Sequence, residues 1–418
     1  MKKKFIKRPK HKPRKYFRIN LRKKDEFLYF HSKTLIINKI LIILIIIFLY
    51  IIFHSKNYTN SKIDSFDDKL IILESNEYKF FDEMKKKAND PNLNSIFKEI
   101  KILKHIFAKQ AEYYKNNKNV IHITYSINNN NNYKYILLVS MFSVLSNCDK
   151  KTFIIFHILC TPDFNESSLE IYKSLLNKYS QNVEMIFYNM GNHFIHRISP
   201  RLSQATYYRL LTPIFINSER LIHLDGDTLT FSDLNEMYNL DFNDNYILGI
   251  YDILNDGIDY LGIKSEIYIN AGVTLLNLKK LRDDKKVFEF LNLFESGKRL
   301  KNEDQTIINY LLHPKIGRLP CKFGMFNYED DTDIKFYLEH IRTKVPFEEV
   351  KDALKNPSII HNSICLPKPW YFNAVYQDWA SACGQRHNCS CKKYVDIWHS
   401  IAKKTDYYYK ILNFTKGK

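Results

Sequence analysis

Glycine and proline are scarce in this chain of 418 residues, at 11 and 12, which excludes collagen-like and proline-rich fibrous architectures. No internal repeat is evident. Wholesale disorder is excluded too, because hydrophobic residues make up 45% and charged residues 26%, a globular balance. Beyond residue 33 the chain also lacks a strong charge of either sign. The formal net charge is +18, yet residues 1–33 hold 14 Lys or Arg against only Asp25 and Glu26. The other 385 residues carry 49 basic and 43 acidic side chains. The basicity is therefore an N-terminal tail rather than a nucleic-acid-binding face, and a retention signal or contact with anionic lipid explains it more simply. The length allows two domains, or one large domain with appendages.

The segment after the tail is apolar: Leu35 to Phe53 reads LIINKILIILIIIFLYIIF. As a helix, such a run spans roughly 28 Å, near the thickness of a bilayer core. Asn38 and Lys39 interrupt it, and Lys39 can snorkel toward the headgroups. A cleaved signal peptide is the competing reading. The long basic flank and the missing small-residue cleavage site favour a single-pass, type II membrane anchor. The positive-inside bias leaves residues 1–34 in the cytosol and everything after Phe53 across the membrane. The sequons at Asn57, Asn165, Asn388 and Asn413 and all seven cysteines lie beyond the anchor. Cys383, Cys389 and Cys391 with His387 are open to two readings, a zinc site or disulfides. The spacing is not a recognised zinc spacing, and disulfides suit a lumenal compartment better.

Residues 54–117 read as a partly helical stalk, with helical apolar spacing at Ile96, Ile100, Leu103 and Phe107. An Asn run at 128–132 reads as a loop. From Val120 short apolar strands alternate with helical stretches. Strands are expected over Val120–Tyr125, Thr152–Leu159, Val183–Tyr188, Arg220–Leu224, Tyr246–Tyr251, Tyr268–Leu276 and Ser358–His361. Helices are expected over Tyr135–Ser146, Ser167–Tyr179 and Thr206–Ile216. This alternation predicts an α/β domain with a largely parallel sheet. A cysteine-containing extension over 376–418 comes after it.

The most informative stretch is Arg220-Leu-Ile-His-Leu-Asp225-Gly226-Asp227. An apolar strand ends in two carboxylates one glycine apart, at the strand end where ligands gather in open α/β sheets. Residues i and i+2 of an extended segment project to one side, so both carboxylates can face one cation. Hard oxygen donors suit magnesium or manganese held with phosphate oxygens. Alone, the pair is a weak signal, and a solvated turn is the favoured reading.

Its company is more specific. Ala205-Thr-Tyr-Tyr-Arg209-Leu-Leu-Thr-Pro213 precedes it, and Tyr268-Ile-Asn270-Ala271-Gly272-Val273 comes later. Then come Asn302-Glu-Asp304-Gln305, Ile359-Ile-His361 and Lys368-Pro369-Trp370. In this order and spacing, residues 118–375 resemble the family 8 glycosyltransferases, retaining enzymes of the GT-A fold that use nucleotide sugars.

The resemblance implies that Asp225, Asp227 and His361 bind Mn2+, or Mg2+, bridging the diphosphate of a UDP-sugar. It implies that Lys368 contacts the diphosphate and that Arg209 lies near the sugar and phosphates. Asn270, Ala271 and Asp252 would line the donor sugar. Asp304 would hold the sugar and Gln305 would lie near the anomeric carbon, although Asn302 with Gln305 also reads as a helix capping box. Tyr133 would stack on uracil, with Asn130 and Asn131 where the family has aspartates. The chain departs from the family after His361, with Ile364 at the usual glycine and a seven-residue step to Lys368. The implied function is a metal-dependent, retaining transfer of glucose or galactose to a glycan, lipid or protein acceptor. A catalytically inactive lumenal scaffold that binds glycan or nucleotide is the alternative.

Overall fold

The computed structural model describes residues 79–86, 91–107, 118–129, 133–179, 182–194, 203–253, 258–264, 266–298, 300–328, 331–341, 343–363, 368–370 and 392–415. The anchor at 35–53, the basic tail, Asn130, Ile364 and the cysteines at 365, 383, 389 and 391 lie outside them. Among the described residues no helix is long and apolar enough to cross a membrane.

Eleven strands are described: β1 (Lys101–Phe107), β2 (Asn119–Ile127), β3 (Thr152–Cys160), β4 (Val183–Asn189), β5 (Arg220–Leu224), β6 (Thr228–Thr230), β7 (Ile247–Tyr251), β8 (Ile269–Asn277), β9 (Ile316–Arg318), β10 (Phe323–Phe326) and β11 (Ile359–His361). Eight of them form the main sheet in the order β1-β4-β3-β2-β5-β8-β7-β9; β10-β11-β6 form a smaller one. β3 is buried along its whole length, as expected of a central strand covered on both faces. Helix α1 is Pro91–Glu99, α2 Tyr133–Asn147 and α3 Glu166–Tyr179. The α2 side chains from Ile136 to Leu145 are all buried, so this helix is apolar all round because protein covers every side of it.

Three expectations about the elements are corrected. The sheet is mixed, not largely parallel: β4-β3-β2-β5 run parallel, but β8 is antiparallel to both β5 and β7, and β1 is antiparallel to β4. The helical spacing from Ile96 holds only as far as Glu99, and Lys101–Phe107 is an edge strand of the main sheet. Thr206–Ile216 is a 3₁₀ segment, Gln204–Leu211, with a single α turn after it, Thr212–Phe215. At Cys148, Cys160 and Cys321 the thiols are free; the zinc-or-disulfide question at Cys383, Cys389 and Cys391 lies outside the described residues.

Two pairings position the site. Leu224 at the end of β5 lies opposite Val273, and the Asp225 N–H donates to the Gly272 carbonyl at 2.7 Å. The chain then leaves the main sheet through Gly226 and enters β6, where Thr228 lies opposite His361 of β11. Strand register therefore delivers His361 beside Asp227.

Candidate active site

The carboxylate pair sits in a turn between two sheets. Thr228 closes the turn, its N–H and hydroxyl both donating to the Asp225 carbonyl, at 3.1 and 2.8 Å. The other side is fixed by Asn362, whose side-chain amide donates to the Asp227 carbonyl at 2.8 Å. Asn327 in turn donates to the Asn362 side-chain oxygen at 2.7 Å.

Asp225, Asp227 and His361 each offer a ligand atom, and these atoms lie within 4.8 Å of one another. His361 Nε2 is 3.2 Å from Asp227 Oδ1 and 3.7 Å from Asp225 Oδ2. The second Asp225 oxygen, Oδ1, is occupied from behind. Arg209 Nη2 donates to it at 2.8 Å and His223 Nε2 lies 3.2 Å away. Burial works against ionisation of Asp225, yet Arg209 and His223 hold its carboxyl well below the usual range. Burial likewise opposes the Asp227 charge, and Lys368 and His361 outweigh it. His223 is fully buried; burial first, and then Arg209, pull its pKa down to about 4. It is therefore a neutral donor at physiological pH.

The residues fit a divalent cation. Two ionised carboxylates and an imidazole are the donor set of a hard or borderline metal. Gly272 leaves the hollow they face: a Cβ there would stand 2.2 Å from His361 Cε1 and 2.6 Å from Asp225 Oδ2.

Cations flank the pair. Lys368 Nζ lies 2.9 Å from Asp227 Oδ2 and donates to the carbonyls of Asn362 at 2.5 Å and Ser363 at 3.2 Å. Arg209 is buried and spans three groups: Asp225, the Ala271 carbonyl at 2.5 Å, and Asp304 at 2.9 Å. Asp304 sits in the first turn of α4 (Glu303–Leu312). Its other oxygen accepts from the Thr206 hydroxyl at 2.7 Å. Burial raises the Asp304 pKa, with Arg209 and Thr206 opposing. The preceding Glu303 has φ +40°, a left-handed conformation that a non-glycine residue adopts at a cost of about 1–3 kcal/mol.

A neutral network continues from there. Gln305 accepts from the Ala271 N–H at 3.0 Å and donates to Asp252 at 3.1 Å. Asn270 donates to the same Asp252 oxygen at 2.8 Å. The capping-box reading of Asn302 and Gln305 is corrected: Asn302 is the N-cap but makes no side-chain cap, its amide donating to the Tyr268 hydroxyl at 3.3 Å, and the Gln305 amide is held by β8 and Asp252 instead. Tyr133 opens α2 against the turn, where a Cβ on Gly226 would meet its ring at 3.0 Å. Burial, with the Asp227 and Asp225 charges, pushes its phenol pKa well up.

Of the residues singled out in the sequence, Asp225, Asp227, His361, Lys368, Arg209, Asp304, Gln305, Asp252, Asn270, Ala271 and Tyr133 form this connected cluster; Asn130 lies outside the described residues. Sequence reasoning missed His223, Asn362 and Asn309. Asn309 bridges α4 to the Ile269 N–H and carbonyl of β8, both at 2.8 Å. Its signal was a polar residue four positions after Gln305 on an otherwise apolar helix face.

A mixed α/β sheet ending in this carboxylate pair defines a GT-A-type domain. The galactosyltransferase LgtC, solved with donor and acceptor sugar analogues, superposes with a TM-score of 0.53 at 22% identity, over 68% of this chain and 96% of that one. The glycosyl transferase family 8 model matches residues 122–374, and the chain belongs to that family. A putative glycosyltransferase of Haemophilus influenzae is 31% identical over 46% of this chain and 60% of its own length. The lipopolysaccharide 1,2-glucosyltransferase of Escherichia coli is 26% identical over 60% of this chain and 72% of its own. The chain spans between 38% and 60% of the length of three curated relatives it matches.

Proposed function

We propose that the protein is a metal-dependent, retaining hexosyltransferase that moves glucose or galactose from a UDP-sugar to a hydroxyl of a glycan, lipid or protein acceptor. The observation that carries this reading is the convergence of Asp225, Asp227 and His361 within 4.8 Å, with Lys368 and Arg209 beside them. Family membership and a glucosyltransferase among the relatives support it.

Asp225, Asp227 and His361 would hold Mn2+ or Mg2+, which when bound neutralises diphosphate charge as the leaving group departs. Lys368 adds a second cation on the phosphate side. Arg209 is fixed by Asp304 and Ala271, so it presents its charge to Asp225 without reorganising. The bond between the anomeric carbon and the UDP oxygen breaks while the acceptor oxygen attacks from the same face. The acceptor proton passes to the departing phosphate oxygen. Gln305, tethered by Ala271, faces the developing positive charge with its amide dipole, and Asp252 and Asn270 hold sugar hydroxyls. Tyr133 closes the uracil end.

The membrane anchor rests on the sequence of residues 1–53 alone, and a lumenal location, in the Golgi or else the ER, rests on that anchor together with the family. Protease protection of residues 54–418 in sealed vesicles tests them, and digestion without detergent contradicts them.

For the activity, UDP release by the full chain is followed over a panel of UDP-sugars with and without manganese. The Asp225→Ala/Asp227→Ala double variant is the control. Manganese-dependent release from one donor, lost in the control, is the expected outcome. A chain that binds no nucleotide contradicts the assignment.

A further inference from the structure

The family match stops at residue 374, but the described chain resumes with two helices, α5 (Lys392–Ala402) and α6 (Tyr408–Thr415). We propose that this helical pair completes the phosphate side of the site, with His399 of α5 as a positioning residue for Lys368. The inference rests on the proposed function of that site.

The helices pack on the back of the site elements. A second apolar cluster joins Ile136 and Val139 of α2, Leu229 of β6, and Trp370 to Trp398, Ala402 and Ile411. Trp370 and Trp398 are both almost fully buried, their ring centroids 5.8 Å apart. The Tyr394 hydroxyl, also on α5, donates to the Tyr328 carbonyl just past β10. α5 therefore packs on the helix that begins at Tyr133, sets Trp398 against Trp370 in the loop that carries Lys368, is tied to the loop after β10, and shares one apolar cluster with Leu229 of β6.

The polar link lies inside this apolar contact. His399 Nε2 is 3.0 Å from the Pro369 carbonyl and Nδ1 is 3.1 Å from the Tyr408 hydroxyl. A carbonyl only accepts, so Nε2 carries the hydrogen and Nδ1 accepts from Tyr408. Burial lowers the His399 pKa, with the Pro369 carbonyl opposing, consistent with a neutral ring. Pro369 directly follows Lys368, and its ring fixes φ. Holding its carbonyl thus fixes the backbone from which Lys368 reaches Asp227 Oδ2, at 2.9 Å. The chain is Tyr408 to His399 to Pro369, with Lys368 at its end. A brace serving stability alone would need only the Trp370–Trp398 contact. The hydrogen-bonded imidazole adds a directional restraint on the residue that follows the lysine.

Calorimetric titration of the full chain with UDP in the presence of manganese tests this. His399→Leu is expected to weaken UDP binding about three- to tenfold, the range for one hydrogen bond. His399→Gln, which can donate from near the Nε2 position, is expected to recover most of that loss. In a Lys368→Met background, His399→Leu is expected to add less than about twofold, because the two residues act in series. Tyr408→Phe removes one oxygen without leaving a large cavity, and is expected to weaken binding about two- to threefold. It carries the test where His399→Leu does not fold. UDP affinity unchanged in both folded His399→Leu and Tyr408→Phe overturns the inference, as does an equal loss from His399→Leu with Lys368 present or absent. A wild-type chain that binds no UDP instead overturns the reading of the site itself.

Discussion

Gly272→Ala is the smallest change that should disable the site. The added methyl would begin 2.2 Å from His361 Cε1 and 2.6 Å from Asp225 Oδ2. Carbon atoms in contact sit about 3.5–4.0 Å apart, so the imidazole must retreat by roughly 1 Å or more. It has little room, because His361 is buried and its strand is paired with both β10 and β6. Asp225 is equally fixed, by Arg209 and by its own N–H on the Gly272 carbonyl. The strain therefore falls on the ligand geometry. Overpacking of this kind costs about 1–3 kcal/mol of stability, which a folded domain survives. Misplacing a reacting or binding group by about 1 Å costs on the order of a hundredfold in rate. Manganese-dependent UDP release should therefore drop about a hundredfold, with near-wild-type circular dichroism and a melting temperature only a few degrees lower. A folded Gly272→Ala variant within about threefold of wild-type turnover would refute the packing reasoning.

Other expected outcomes come from the same contacts. Arg209→Met should destabilise the fold by about 3–5 kcal/mol, read by denaturant unfolding, because it leaves Asp304 buried without its counter-charge. Asp225 ionises well below the range of an unfolded aspartate. Its contribution to stability is thus fully present above about pH 4 and is lost as pH falls toward the folded pKa. Asp225→Asn should flatten the acid limb of a stability–pH profile recorded without metal. Burial pushes the Cys148 and Cys321 thiols up to about 12 and Cys160 well above its ordinary value. Native alkylation at pH 8 should leave all three unlabelled, and peptide mapping should find them modified only after denaturation. A fragment starting near residue 115 lacks β1 and the buried Leu93, Ile96, Phe97 and Ile106. It should melt well below one starting at residue 79, since each buried apolar side chain is worth about 1.5–3 kcal/mol at most.

The sequence is most legible where local pattern and final position coincide. β5 is apolar, ends in Asp225-Gly-Asp227, and the structure puts those carboxylates at a strand end. The strand over Val183–Tyr188 and the helix over Ser167–Tyr179 are recovered to within a residue. Strand direction is less legible, because an apolar strand such as β8 carries no mark of which way its neighbours run. Lys101–Phe107 reads as helix since Ile100, Leu103 and Phe107 share a helical face. Pairing with β4, which no local pattern encodes, makes it a strand. At the site, the acidic and cationic residues are legible from chemistry and family resemblance. His223 was invisible because it looks like one more strand residue until its ring is seen behind Asp225.

The pairing of β6 with β11 also ties the ligand set to long-range folding. Asn362 grips Asp227 across 135 positions of chain, and nothing local holds His361 near the carboxylates before that contact forms. Loop closure of such length is a late and slow event in folding. Metal affinity would therefore appear only once this long-range contact has formed: a nascent chain stalled before residue 359 would display both aspartates yet hold the ion poorly.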